Sequence, residues 1–149
     1  MKRLIVAEIG ALIIAVAVCV VVQAQKTSKG SAGKKVVYAA ADSTTFKPSQ
    51  AAGVSMTTLW GDPDTGPHAT YTKFDPGFDA GMHTHTNDVW IVGIKGAYLY
   101  KDEDGEKRVG PGDFLRVPGG HKHRSGGDKT EGAVFYEEGS GKFDRVPAK

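Results

Sequence analysis

From Gly53 onward, apolar and polar residues alternate in short bursts. Val54, Met56, Thr58 and Trp60 fall on one side of a run whose other side carries Ser55, Thr57 and Leu59, the period of two of a half-buried strand. Further strand-like runs follow at Ala69 to Phe74, Val89 to Ile94, Ala97 to Lys101, Asp113 to Val117, His121 to Arg124 and Ala133 to Tyr136. Val89 to Ile94 is the most apolar of them. Turn formers separate the runs: GDPDTGP from Gly61 to Pro67, Asp75-Pro76-Gly77, a break at Gly96, the charged tip KDEDGEK, Val109-Gly110-Pro111-Gly112 and Pro118-Gly119-Gly120. Val36-Val37-Tyr38 reads as an outer strand, Ser43 to Gln50 as irregular chain around Pro48, and the tail as an edge strand near Phe143. No stretch of this region sustains a 3.6-residue period. About eight or nine short strands with glycine or proline at nearly every corner predict an all-β domain, a small barrel or double-sheet sandwich.

The N-terminal stretch is of another kind. Lys2 and Arg3 precede a nearly unbroken apolar run from Leu4 to Val22, and Val22-Gln23-Ala24 places small residues where a signal peptidase cuts. Residues 1–24 are therefore expected to be a signal peptide cleaved after Ala24, residues 25–35 (QKTSKGSAGKK) a flexible tether, and residues 36–149 the domain, with its core over 54–136. Export to the periplasm or outside the cell follows. The competing expectation is an uncleaved helix that anchors the chain, against which Glu8 interrupts the run; membrane contact is expected through this segment only. Cys19 is the single cysteine and lies inside the run. Bulky Val18 before it argues against a lipoprotein site, and a chain cut after Ala24 has no thiol for disulfides, metal ligation or nucleophilic attack. With 19 basic and 17 acidic side chains and no basic stripe, the sequence offers nothing that phosphate backbones require, so no nucleic-acid partner is expected.

The candidate chemistry is in the histidines. His83 and His85 stand one residue apart, so on a strand both point to one face. His121 and His123 repeat that spacing. Imidazole suits zinc, copper, nickel and iron, and two rings on one strand make two corners of a site. A single such pair is as well explained by solvated loop histidines. The recurrence of the pair is more specific.

At these residues the chain resembles the cupin family. Gly77-x5-His83-x-His85-x3-Val89-x6-Gly96 is similar to the first cupin motif, G-x5-H-x-H-x3–4-E-x6-G, except at the glutamate. Gly112-x5-Pro118-x-Gly120-x2-His123-x3-Gly127 is similar to the second, G-x5-P-x-G-x2-H-x3-N, except at the final asparagine. The resemblance spans about Val54 to Tyr136 and implies a double-stranded β-helix, the jelly-roll barrel, with a metal site inside. It implies His83, His85 and His123 as ligands of one divalent transition metal, whether iron, manganese, zinc or nickel. The glutamate ligand falls at Val89, or at Trp90 under the longer spacing, and neither can ligate. Asp88 is one residue early and faces away from the histidines unless a bulge redirects it.

His121 is expected beside the ligands or at the rim, and His68 at the surface or the barrel mouth. Asp88, Tyr98 and His121 are the candidates for a general base. Met82, Trp60, Tyr71, Trp90, Tyr98, Phe114 and Phe135 either line a substrate cavity or form plain core. Lys73, Arg116 and Arg124 could hold an acidic substrate if they face inward. Gly77, Gly81, Gly96, Gly112 and Gly120 read as structural.

The fold does not fix a function. The leading expectation is an exported, metal-dependent enzyme of dioxygenase or lyase type acting on a small molecule. The alternative is a non-catalytic metal- or small-ligand-binding module, or a degenerate barrel used in an assembly. An enzyme needs a wet pocket at the three histidines, whereas a relic would have it filled by Trp90 and its neighbours. Cupins dimerise through edge strands, so a homodimer through the segment near Val36 and Val37 is a further expectation.

Overall fold

The computed structural model of the chain describes residues 36–149. The basic start, the apolar run, the expected cleavage after Ala24 and the tether lie outside the described residues. The domain is all-β: β1 (Lys47–Pro48), β2 (Val54–Gly61), β3 (His68–Phe74), β4 (Asp79–Thr84), β5 (Val89–Gly96), β6 (Tyr98–Asp102), β7 (Gly105–Val109), β8 (Phe114–Val117), β9 (His123–Gly127), β10 (Ala133–Gly139) and β11 (Val146–Pro147). Six strands form one sheet in the order β1-β2-β3-β10-β5-β8, and five form the other as β11-β4-β9-β6-β7. Neighbouring strands in both sheets are antiparallel. This is the double-stranded β-helix of the cupin fold.

Strand alternation decides what faces the interior. On β10, the central strand of the larger sheet, Ala133, Phe135, Glu137 and Gly139 are buried while the residues between them are half-exposed. Phe74, Tyr98 and Phe135 meet at the centre of the core, with Phe74 4.9 Å edge-on to Phe135 and Tyr98 5.1 Å edge-on to it. Such pairs add about 0.5–1.5 kcal/mol to the area each ring buries. Truncating fully buried Phe135 to alanine would cost about 3–5 kcal/mol.

Several boundaries differ from the sequence reading. Val36-Val37-Tyr38 forms no strand and is exposed, so it supplies no edge strand; its apolar residues have no partner strand to pack on. The charged tip is instead a hairpin, because Gly105 to Val109 pairs back on β6 and Lys101 meets Glu106 at 2.7 Å. The strand expected at His121 begins at His123 and runs into three small residues, Ser125-Gly126-Gly127. A side chain at Gly126 would put its Cβ 2.5 Å from the Phe78 carbonyl, so backbone approach requires glycine there.

Candidate metal centre

His83 on β4 lies directly across from His123 on β9, and His85 follows just past the end of β4. Period-two geometry turns His83 and His85 to the same side, as their spacing requires. The ring centroids are 4.3 Å apart for His83 and His123, 4.9 Å for His83 and His85, and 5.3 Å for His85 and His123. One ring nitrogen from each lies within 4.8 Å of the other two, and all three residues are buried.

Each ring is aimed by its Nδ1–H. His83 donates to the Gly81 carbonyl at 2.9 Å, His123 to the His121 carbonyl at 3.0 Å, and His85 to the Asp144 carbonyl. These bonds assign the proton to Nδ1 and leave each Nε2 lone pair free, the arrangement seen behind metal-bound imidazoles. His123 Nε2 is fully buried with no hydrogen-bond partner among the described residues, a costly state for a polar atom. Burial pushes the pKa of all three below the usual histidine value, and the positive charge of neighbouring groups lowers each further. The rings are thus held neutral, as a divalent cation requires of its ligands. Three convergent neutral donors with an orphaned Nε2 fit such an ion.

Neighbouring side chains brace the cluster. The Tyr100 ring stacks on His123 with centroids 5.4 Å apart and planes 17° from parallel. Its hydroxyl donates to Asp102 Oδ2 at 2.7 Å, and His121 Nε2 lies 3.0 Å from the same oxygen. These two bonds hold the Asp102 carboxyl at a pKa of about 2. Residues 140–147 run along the barrel end as a strap. Phe143 sits 5.3 Å from His85, and the Asp144 carboxylate accepts from Thr86 N at 2.8 Å and from the Thr86 hydroxyl. Gly120 N donates to the His85 carbonyl at 2.7 Å, with Gly120 at φ 78°, a left-handed conformation that favours glycine and explains its place in the second motif.

Residues 43–149 match the family described as Domain of unknown function (DUF4437). The chain belongs to that family. Its barrel has the cupin fold: an RmlC-like cupin from Shewanella frigidimarina superposes with a TM-score of 0.55 at 17% identity, over 71% of this chain and 92% of that one. The polyketide cyclase RemF from Streptomyces resistomycificus gives 0.59 at 17% identity, over 76% and 83%. KdgF from a Halomonas species gives 0.54 at 22% identity, over 66% and 90%. At these identities the likeness is one of fold. No curated protein matches the chain.

Within this DUF4437 barrel the other predicted residues go elsewhere. Asp88 precedes β5 and faces away: Gly119 N donates to it at 2.8 Å and Arg116 at 2.6 Å, which holds its carboxyl below the usual range. The regular pairing of β5 with β8 contains no bulge that could turn it inward. Val89, which stands where the first cupin motif has its glutamate, is buried in the core. Trp90 lies opposite Arg116 and Glu138 on the outer side of its sheet, so it neither lines nor fills the interior. Tyr98 is core, packed on Phe74 and Phe135, with burial raising its pKa well above the ordinary tyrosine value. His121 stands beside the cluster with Nε2 spent on Asp102 while its backbone orients His123. Trp60 and Phe114 are exposed, and Tyr71 and Met82 alternate with inward residues. Arg116 and Arg124 are engaged by Asp88 and Asp79, and Lys73 is exposed. His68 is fully buried, with Nδ1 3.0 Å from the Gly66 carbonyl and 3.1 Å from the Gly141 carbonyl. The strap seals it off from the surface expected for it.

Three acids escaped the sequence reading: Asp102, seen there only as part of a charged tip, Asp144 and Glu137. Glu137 continues the inward series Ala133, Phe135, so extending that alternation by one step would have found it. Asp144 carries no local signal, since it meets His85 across 59 residues.

Proposed function

We propose that this protein is an exported, metal-dependent cupin that acts on a small molecule, with one divalent transition metal held by His83, His85 and His123. The observation that carries the reading is the buried trio itself: three Nδ1 atoms tied to carbonyls, and three free Nε2 atoms, of which the one on His123 is fully buried. When bound, such an ion supplies Lewis acidity and open positions, which suits lyase or dioxygenase chemistry. The protein's part is to keep the rings neutral and aimed. The Asp102, Tyr100 and His121 network holds His123 from one side, and the strap holds His85 from the other. The absence of a carboxylate at Val89 leaves the ion's charge less compensated than in cupins that carry the first-motif glutamate. Export rests on the run from Leu4 to Val22 and the cut site at Ala24.

A second reading, a metal-binding module without turnover, is favoured by Phe143, whose ring covers His85 at 5.3 Å and narrows access on that side. Metal analysis comes first. Purified protein is expected to carry close to one transition metal per chain, and His83→Ala with His85→Ala to abolish it. Protein that stays metal-free and takes up no iron, zinc, manganese or nickel would overturn both readings. A metal-loaded protein that consumes no oxygen and converts nothing in a small-molecule screen would leave the module.

A further inference from the structure

One buried acid remains once the histidines and their braces are accounted for. Glu137 stands in the middle of β10, is 9% exposed, and makes no hydrogen bond among the described residues. Its register is informative. Glu137 lies opposite Thr70 on β3 and Ile91 on β5, one inward step from Gly139, which lies opposite Val89. Val89 is where the first cupin motif carries its glutamate. A carboxylate is thus missing from β5 and present on β10 at the diagonal inward position, a separation of roughly 7–8 Å between Cα atoms in an antiparallel sheet.

The opposite sheet ties Glu137 to the same interior. Tyr98, on the opposite sheet, has its pKa pushed up by burial first and by the charge of Glu137 as well, which places the two side chains in the same interior. Ser125 is the next inward residue after His123 on β9. Glu137 therefore lies one inward step along β10 from the level of Val89, and Ser125 one inward step along β9 from His123.

We propose that Glu137 is the positioning carboxylate of this centre, hydrogen-bonding a water or substrate atom at the ion's open positions and supplied from β10 in place of the glutamate absent from β5. The inference rests on the metal reading above. Glu137 is not a fourth ligand, because it is not among the groups whose donor atoms converge within 4.8 Å. A purely structural role is at odds with its surroundings. Between Thr70, Ile91 and Phe135 an apolar side chain would pack without leaving a carboxyl unpaired, and burial already pushes the Glu137 pKa up to about 7. A nearby cation is what makes an ionised carboxylate tolerable there.

The test uses Co2+ as the probe, in the full protein and in Glu137→Gln, which keeps the shape. Affinity is read by competition with a chromophoric chelator, and geometry by the visible cobalt spectrum. Glu137→Gln is expected to bind one Co2+ per chain about 10-fold more weakly, with shifted bands of unchanged intensity class. Glu137→Asp, which keeps the charge on a shorter arm, should fall between the two and guards against misfolding of the first variant. Unchanged affinity and spectrum in Glu137→Gln, with only a higher melting temperature, would overturn the proposal in favour of a buried acid without a role. A loss beyond 100-fold with a change of intensity class would overturn it in favour of direct ligation. Wild-type protein that binds no Co2+ would remove the metal reading and this proposal with it. Wild-type binding with an unaffected variant would remove this proposal alone.

Discussion

The charge state of Glu137 makes a prediction about stability that needs no metal. Its pKa rises from 4.5 in the unfolded chain to about 7 in the barrel because burial disfavours the carboxylate. Below pH 4.5 both states carry the proton and Glu137 contributes its full stability. Between 4.5 and 7 the unfolded chain releases the proton while the folded one keeps it, so stability falls as pH rises. Above 7 the loss is complete, at about 3 kcal/mol for the whole shift. Glu137→Gln cannot titrate. The histidines titrate alike in both proteins and cancel in the comparison, and the amide's own burial cost does not depend on pH. Urea unfolding of chelator-treated wild type and variant, at intervals from pH 5 to pH 8, should show the variant gaining about 2.5 kcal/mol on the wild type across that range. That corresponds to a relative midpoint shift of roughly 1 M urea. A gap that stays constant with pH, or narrows as pH rises, would refute the reasoning, since it would mean that Glu137 is ionised in the folded protein without penalty.

Two more outcomes follow from the strap and its contacts. Asp144→Ala removes both hydrogen bonds to Thr86 and frees the carbonyl that aims His85; calorimetric Zn2+ titration should show about 10-fold weaker binding, with about 1–3 kcal/mol lost in urea unfolding. Gly139→Ala would place a Cβ 2.5 Å from the His68 ring carbon Cε1, and with His68 fully buried the clash should cost about 1–3 kcal/mol, read as a lower urea midpoint.

The cluster was legible because its signal is local. Two histidines one residue apart on a strand must share a face, and the second motif pins His123 by its spacing from Pro118 and Gly120. The glycine and proline corners likewise announced a barrel of short strands. What was not legible depends on partners distant in sequence. His68 follows a turn cluster and looks like a mouth residue until residues 140–147 fold over it. Val36 and Val37 look like a strand because apolarity alone does not reveal the lack of a neighbour. The edge strand β7 was hidden for the opposite reason: Gly105 to Val109 has one apolar residue, Val109, so its pattern reads as loop. Glu137 was passed over because an acid in an inward place looks like the end of a strand, when here the strand runs three residues past Tyr136.

The strap also orders events in the life of the chain. His83 and His85 are translated early, yet the carbonyl that aims His85 belongs to Asp144, and Asn87, Asp88 and His68 are fastened to residues 140–142 as well. All the strands except β11 precede those residues in the chain, so their pairing does not itself depend on these bonds. The three rings therefore reach their final arrangement only after Asp144 has docked, and an ion that needed all three would be captured last.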